Sequence, residues 1–245
     1  MSELTIALCV FGSCFASALV GMAIRLPERH RDQDSKDVVK LVMGLIATIA
    51  ALVLSLLVAS ANSSYNTQRT ELQSLAANAI LLDRWLVAYG PEANGVRDLL
   101  RERISSMRDR LWSPDGMQPT PIDGVTRFVG EIEALSPKTA AQRMMVGRMM
   151  LLGETVVHER LEMFEEAGSG VSWPVVVALI GWICLLFLGF GLYTQFNLTV
   201  VIALASGALS VSGAIFIILE LNTPFSGLLQ LSDAPVRYAL SQMGH

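Results

Sequence analysis

The fold is decided by residues 41–69, which read LVMGLIATIAALVLSLLVASANSSYNTQR. The first 21 of these residues, Leu41 to Ala61, carry no charge, and about 20 apolar residues are enough for one helix to cross a bilayer. The stretch then changes to hydroxyl, amide and guanidinium side chains, and residues 62–89 contain no proline or glycine to stop a helix. It therefore predicts a membrane-spanning helix that continues beyond the bilayer.

Charge is segregated along the whole chain of 245 residues, of which 52% are hydrophobic and 16% are charged. An ordinary soluble domain has about 25% charged residues. Of the 40 charged side chains, 27 lie in 62–172 and 9 in 25–40. Leu4 to Ile24 carries no charge, and neither does Ala167 to Leu219, which is long enough for two spans joined by a turn. The sequence predicts an all-α polytopic membrane protein with four transmembrane helices, at about 4–24, 38–61, 173–193 and 198–221.

A cleaved secretory signal is the alternative interpretation of the first apolar stretch. Its amino-terminal flank carries Glu3 and no Lys or Arg, whereas a signal peptide normally begins with basic residues and has a shorter apolar region. These features favour a retained transmembrane helix.

Residues 62–172 are predicted to form a helical extramembrane domain between helices 2 and 3, continuous with helix 2. Residues 1–61 then contain the first two spans, and residues 173–245 contain the last two spans and a short C-terminal tail. Gly90-Pro91 is expected to end the long helix, because glycine caps helices and proline cannot continue them. An apolar stripe at three- and four-residue spacing precedes this stop, at Leu72, Leu75, Ala76, Ala79, Leu82 and Leu86.

Three more helices are predicted in the insert, at 91–112, 125–135 and from Ser136-Pro137 to about Ala167. Prolines and glycines in 113–124 predict a hinge between the first two of them. For the last helix, the expected inward-facing positions are Ala140, Met144, Leu151, Thr155, His158 and Leu161.

Lys and Arg near the spans indicate the orientation in the membrane. The first loop and its flank hold five, Arg25, Arg29, Arg31, Lys36 and Lys40, whereas the other side holds three, Arg69, Arg160 and Arg237. This count favours a cytoplasmic loop 25–37, with both termini and the insert on the opposite side.

Signs of catalysis are few. The three histidines lie far apart in the sequence, and no common nucleophile, zinc or nucleotide motif is present. We therefore expect no enzyme activity, no metal site and no cofactor. The net charge of -4 gives no footprint for nucleic-acid binding.

The second span is the strongest candidate for a functional surface. The simpler interpretation is a helix that leaves the bilayer with Tyr65 at the interface. The alternative places several copies of this helix around an axis, where apolar rings form a constriction and polar rings form a vestibule that favours anions. The residues predicted to line such a pore are Ile46, Val53, Leu57, Ser60, Ser64, Gln68 and Arg69.

The fourth span carries small residues four apart, which let helices approach closely. The predicted helix-packing residues are Ala203, Ser206, Gly207, Ser210 and Ala214. They are expected to pack within the chain or between subunits, and a polar path along Ser206 and Ser210 is the alternative. Because no span has an ionisable residue at its centre, a proton-coupled transporter is disfavoured.

Several segments together resemble the bacterial bestrophin-like family of membrane proteins of unknown function. They are IAALVLSLLVASA at 49–61, SYNTQR at 64–69, LLDR at 81–84, YGPE at 89–92 and LELNTPFSG at 219–227. The resemblance covers most of the chain and implies the same layout of two spans, a helical insert and two spans.

A remoter likeness to true bestrophins implies a function. Those proteins are pentameric anion channels in which the second span lines a narrow neck and the helical region is cytosolic, on the side opposite to the one that the charge count favours here. The second span departs from them in having no aromatic residue before Tyr65. The resemblance implies a homo-oligomeric channel in the bacterial inner membrane, with inorganic anions and the lipid bilayer as partners. A non-conducting oligomeric scaffold or sensor, whose helical domain binds a partner, is the alternative.

Overall fold

The computed structural model describes residues 2–24, 33–113, 123–168, 172–194 and 196–243. Within these ranges the secondary structure is helical and no strand is present. The helices are α1 (Glu3–Ala23), α2 (Gln33–Tyr89), α3 (Asn94–Leu111), α4 (Asp123–Glu133), α5 (Ala140–Gly168), α6 (Trp173–Tyr193), α7 (Leu198–Leu221) and α8 (Ala234–Gln242). The predicted all-α class is confirmed.

Four of these helices, α1, α2, α6 and α7, are long and apolar enough to cross a membrane, as predicted. Local sequence sets their ends. Pro174 occupies the first turn of α6, where its missing N–H is harmless. The side chain of Asn197 caps α7 by accepting a hydrogen bond from the Thr199 backbone N–H. Most of the first loop, residues 25–32, lies outside the described residues, and Gln33 already belongs to α2.

The chain divides into two compact units. The span unit consists of Met1–Ser63 and Gly170–Asn222, and the insert unit consists of Ser64–Ser169 and Thr223–His245. The C-terminal tail, which we grouped with the last two spans, therefore packs with the insert. Trp112 explains this placement, because its indole N–H donates to the Leu231 carbonyl at 2.8 Å and its ring meets Phe225 edge to face.

In the span unit, α1 packs against α6 and α7. Gly21 of α1 and Gly191 of α6 meet so closely that a Cβ on either would run into the backbone of the other helix. The Ser212 hydroxyl of α7 donates to the Ala7 carbonyl of α1 at 2.6 Å. Small residues and one hydrogen bond thus fix this packing, as is typical of helices in lipid.

α2 is the span that its own chain covers least. Of its most apolar 18 residues, 6% are buried, compared with 28% for α1, 39% for α6 and 28% for α7. One side of α2 packs against the span unit through Ala50, Val53, Leu54 and Leu57. The other side exposes Leu41, Leu45, Leu52 and Leu56.

The insert unit forms around the remainder of α2. All six residues of the predicted stripe on α2 are buried there, and they share one apolar cluster with α3, α4, α5 and α8. The long helix ends at Tyr89, where expected. Gly90 has a φ of 123°, in the left-handed region that glycine tolerates best.

The inward face predicted for α5 is wrong. Met144, Leu151 and Leu161 are exposed, as are Ala140, Thr155 and His158. The face that packs inward carries Met149, which is fully buried, and its neighbours Met145, Val146 and Leu152. α5 has apolar residues on two sides, and its contacts with α4 and α2 determine which side is covered.

Candidate functional site

The exposed side of α2 carries polar side chains at seven-residue spacing. In the span unit these are Thr48, Ser55 and Asn62, which we call the span stripe, and all three are exposed. Seven residues make nearly two helical turns, so side chains at this spacing project from one face. The Thr48 hydroxyl donates to the Gly44 carbonyl at 2.9 Å, which satisfies it inside the apolar segment.

The insert unit continues α2 with a second set of exposed polar residues. They are Asn66, Gln73 and Arg84, which we call the insert stripe. At about 100° per residue these three project within an arc of roughly 20°. Ala77, between Gln73 and Arg84, is exposed on the same face and is too small to cover its neighbours. The insert stripe thus presents two amides and one guanidinium, all of which can donate hydrogen bonds.

The predicted pore residues are divided between two faces of α2. Val53 and Leu57 pack against the span unit, and Ile46 and Ser64 are half-buried. Gln68 is 2% exposed, and its side-chain carbonyl oxygen has no hydrogen-bond partner. Ser60 and Arg69 are exposed. The seven residues therefore do not share one open surface, and their role at a pore stays a prediction.

The predicted packing residues of α7 are also divided. The Phe187 ring lies within 3.4 Å of the position that a Cβ on Gly207 would take. Ala214 is half-buried, whereas Ala203, Ser206 and Ser210 are exposed. The hydroxyls of Ser206 and Ser210 donate to backbone carbonyls of their own helix, at 2.9 Å each. Within the chain α7 instead buries Ala208, Ser212 and Ile215.

A buried ion pair holds α2 against α3 beside the insert stripe. Arg97 donates to both carboxylate oxygens of Asp83, at 2.8 and 3.3 Å. Asp83 is buried, and this hydrogen bonding raises the pKa of Arg97 above its ordinary value, so the guanidinium stays protonated at physiological pH. The next residue along α2 is Arg84, whose charge lies on the exposed side.

Further contacts attach α5 to α2 in the same unit. The Asn78 amide donates to both carboxylate oxygens of Glu159, at 2.9 and 3.1 Å. The guanidinium of Arg148 lies 5.6 Å from the centre of the Trp85 ring, a cation–π distance. These contacts leave the insert stripe facing outward.

The part of the chain that the structure describes contains no group of three His, Cys, Asp or Glu residues that could hold a metal ion. Two of the cysteines, Cys14 of α1 and Cys184 of α6, place their sulfurs 4.0 Å apart inside the span unit. Both thiols are free.

Two spans, a helical insert and two more spans define a multi-pass membrane protein of the all-α class. The family model described as "Bestrophin-like domain" matches residues 10–236. The chain belongs to the bestrophin-like family, and the predicted resemblance is confirmed.

Solved structures show the same fold. A tryptophan-to-alanine variant of a bacterial bestrophin homologue from Klebsiella pneumoniae is 14% identical, with a TM-score of 0.73 over 100% of this chain and 99% of that one. A leucine-to-threonine variant from the same organism is 13% identical, with a TM-score of 0.70 over 97% of each chain. At this identity the likeness establishes the fold alone. The curated proteins contain no match to the chain.

Proposed function

We propose that the protein forms a homo-oligomeric channel through which ions permeate passively, with the exposed side of α2 facing the axis. The observation that carries this proposal is the span stripe. It is a row of polar side chains on the span that its own chain covers least. Around an axis, a one-sided row on each subunit becomes a set of polar rings that can contact water and ions.

In this proposal the pore is lined by the exposed face of α2, on the side away from the core of the span unit, and not by all seven residues predicted from the sequence. Thr48, Leu52 and Ser55 follow one another along this face, so apolar and hydroxyl rings alternate in the proposed pore. A ring of leucines can gate by excluding water, and hydroxyl rings on either side keep the adjoining parts of the path hydrated. Five copies, by analogy with bestrophins, would complete the rings.

Charge on the exposed side of α2 supports an anion preference. Arg69 and Arg84 are both exposed, and the insert stripe has no carboxylate. The nearest buried acid, Asp83, is already neutralised by Arg97. Cationic side chains along a pore raise the local concentration of anions, and the amides of Asn66 and Gln73 supply N–H donors.

Paired substitutions on neighbouring residues test the proposal in phospholipid vesicles. Asn66→Asp adds a carboxylate to the insert stripe, whereas Thr67→Asp adds one at an exposed position about 100° around the helix. Five carboxylates about 7 Å from an ion each contribute about 0.6 kcal/mol in water, so the chloride-to-sodium permeability ratio should fall at least about tenfold after screening.

The expected result is a large fall with Asn66→Asp and little change with Thr67→Asp. Equal effects of the two substitutions would place the path elsewhere. Vesicles that stay sealed to ions under all tested voltages and pH values, with the oligomer intact, would refute conduction itself.

A non-conducting scaffold or sensor is the second candidate, and the outward face of α5 favours it. Met144 is 65% exposed and Leu151 is 68% exposed, on a helix of the insert unit. Large apolar side chains on one exposed face often mark a binding surface. Sealed vesicles formed with an intact oligomer would support this candidate over the channel, and Leu151→Asp should leave the oligomer intact if this face binds a separate partner.

The proposed location is the bacterial inner membrane, with the first loop cytoplasmic. The excess of Lys and Arg in residues 25–40 supports this orientation, and the bestrophin resemblance supports the reverse. A cysteine introduced at the exposed Arg101 of α3 would react from outside the cell in the first orientation and from inside in the second.

A further inference from the structure

The span unit contains an open groove between the first turns of the α2 span and the last turn of α6. Its volume is about 300 Å³, at the lower end of the range for ligand sites. α2 begins at the membrane surface where α6 ends, because the two spans run in opposite directions through the bilayer. The groove therefore opens at the level of the lipid headgroups.

Its lining divides into an apolar wall and a polar rim. Met43, Ala47 and Phe190 contribute the wall, and Lys40, Tyr193 and Thr194 form the rim. Lys40 pairs with Asp37 at 3.5 Å, but both side chains are about two-thirds exposed, and such a surface pair is weak. The Lys40 ammonium can therefore exchange this partner for an anion at the rim.

Two glycines shape the groove. A Cβ on Gly44 would meet no atom within 4 Å, so the space beside it is open. At Gly189 the situation is the reverse, because the Met43 thioether already lies 2.7 Å from where a Cβ would be. Met43 thus packs onto α6 and closes one side of the groove, while Gly44 leaves the other side free.

We propose that this groove binds an anionic phospholipid, with an acyl chain on the apolar wall and the phosphate beside the Lys40 ammonium. The occupant follows from charge and location. An apolar groove at the end of two spans meets acyl chains, and a lysine at its rim complements a net negative headgroup. Tyr193 is placed at the interface, where its ring contacts the acyl region and its hydroxyl reaches the headgroups.

Native mass spectrometry of the whole protein, released from nanodiscs of stated composition, tests the proposal. Wild-type protein should retain phosphatidylglycerol in preference to phosphatidylcholine. Gly44→Leu should fill the groove and remove retention of both lipids. Lys40→Gln should leave retention of phosphatidylcholine unchanged and reduce the preference for phosphatidylglycerol about fivefold, the factor that one basic residue near an anionic surface contributes.

Two matched controls separate the groove from general effects. Gly181→Leu adds the same side chain to α6, where a Cβ also meets no atom within 4 Å, and Gly181 does not line the groove. Arg101→Gln removes an exposed charge from α3 of the insert unit. Both should retain lipid as wild type does.

Three results would overturn the proposal. They are equal retention of the two lipids by wild-type protein, unchanged retention by Gly44→Leu, and loss of the oligomer by Gly44→Leu without loss of lipid. The last result would assign the groove to a second copy of the chain. All three outcomes are read from lipid retention and oligomeric state, whereas conduction is read from ion flux, so a failure of the lipid site can be distinguished from a failure of the channel.

Discussion

The contact between Gly21 and Gly191 makes a sharp prediction about what holds α1 against α6. A Cβ on Gly191 would lie 2.9 Å from the Met22 backbone nitrogen and 3.0 Å from the Gly21 Cα, and would overlap the Ala18 carbonyl oxygen. All three atoms are backbone, so no side-chain rotation can make room. Gly191→Ala must therefore push the two helices apart.

The magnitude follows from two opposing effects. Overpacking a close contact costs about 1–3 kcal/mol, and the upper end applies because the obstructing atoms are backbone. Alanine favours the helix over glycine by about 1 kcal/mol, which acts in the other direction. The net loss of stability should be about 2 kcal/mol.

Gly181→Ala is the matched control in the same helix, because a Cβ there meets no atom within 4 Å. It retains the gain in helix propensity without the clash, so it should be neutral or stabilising by up to about 1 kcal/mol. Gly191→Ala should therefore destabilise the protein, whereas Gly181→Ala should not.

Thermal unfolding in detergent measures the difference, with the fraction of protein still eluting at the native volume as the readout. Gly21→Ala should destabilise as Gly191→Ala does, and the double variant should lose less than the sum, because both substitutions relieve the same contact by the same separation. Equal melting temperatures for Gly191→Ala and Gly181→Ala would refute the close α1–α6 contact.

Two further predictions rest on individual contacts, and a third rests on the count of Lys and Arg near the spans. Asp83→Ala should destabilise the protein by about 3 kcal/mol, the lower end of the cost of breaking a buried ion pair. The lower end applies because the Arg97 side chain is 22% exposed and can be partly rehydrated. Chemical denaturation measures this loss of stability, and an unchanged midpoint would contradict the prediction. Ser212→Ala should cost about 0.6 kcal/mol by removing the hydrogen bond to α1. The same change at Ser210, which bonds only to its own helix, should cost less in a parallel melt. A cysteine at Arg101 should react with an impermeant reagent on intact cells if the positive-inside count is correct, and labelling only after lysis would reverse the orientation.

The order of the spans and the insert was predictable because the sequence features that mark them lie in continuous stretches of the chain. Segregated charge marks the four spans, and Gly90-Pro91 marks the end of α2, since each effect depends on residues adjacent in the chain. The buried stripe on α2 in the insert was also predictable, because its polar residues fall on the opposite side.

Helix faces were harder to assign where apolar residues occur on more than one side. α5 carries methionines and leucines on two faces, so periodicity alone favoured Met144 and Leu151 over Met149. In α2, leucines that face lipid, a pore or a neighbouring helix satisfy the same hydropathy pattern. The sequence-based selection of Val53 and Leu57 rested on residue type, and their contacts depend on α1, α6 and α7.

The close approach of Gly21 and Gly191 was not predicted either. Glycines occur in every span, and only three-dimensional packing separates Gly191, which is enclosed by α1, from Gly181, which is open. The signal that was present is the combination of small residues on both helices, but the sequence does not say which two meet.

The central claim, that the exposed side of α2 faces an ion path, is tested most directly by thiol block of ion flux. In protein whose native cysteines are replaced by alanine, Ser55→Cys places a thiol on the span stripe and Val53→Cys places one on the side that packs against the span unit. A water-soluble, charged thiol reagent should block flux through the Ser55→Cys channel and leave the Val53→Cys channel open. Block at Val53 with none at Ser55 would contradict the account.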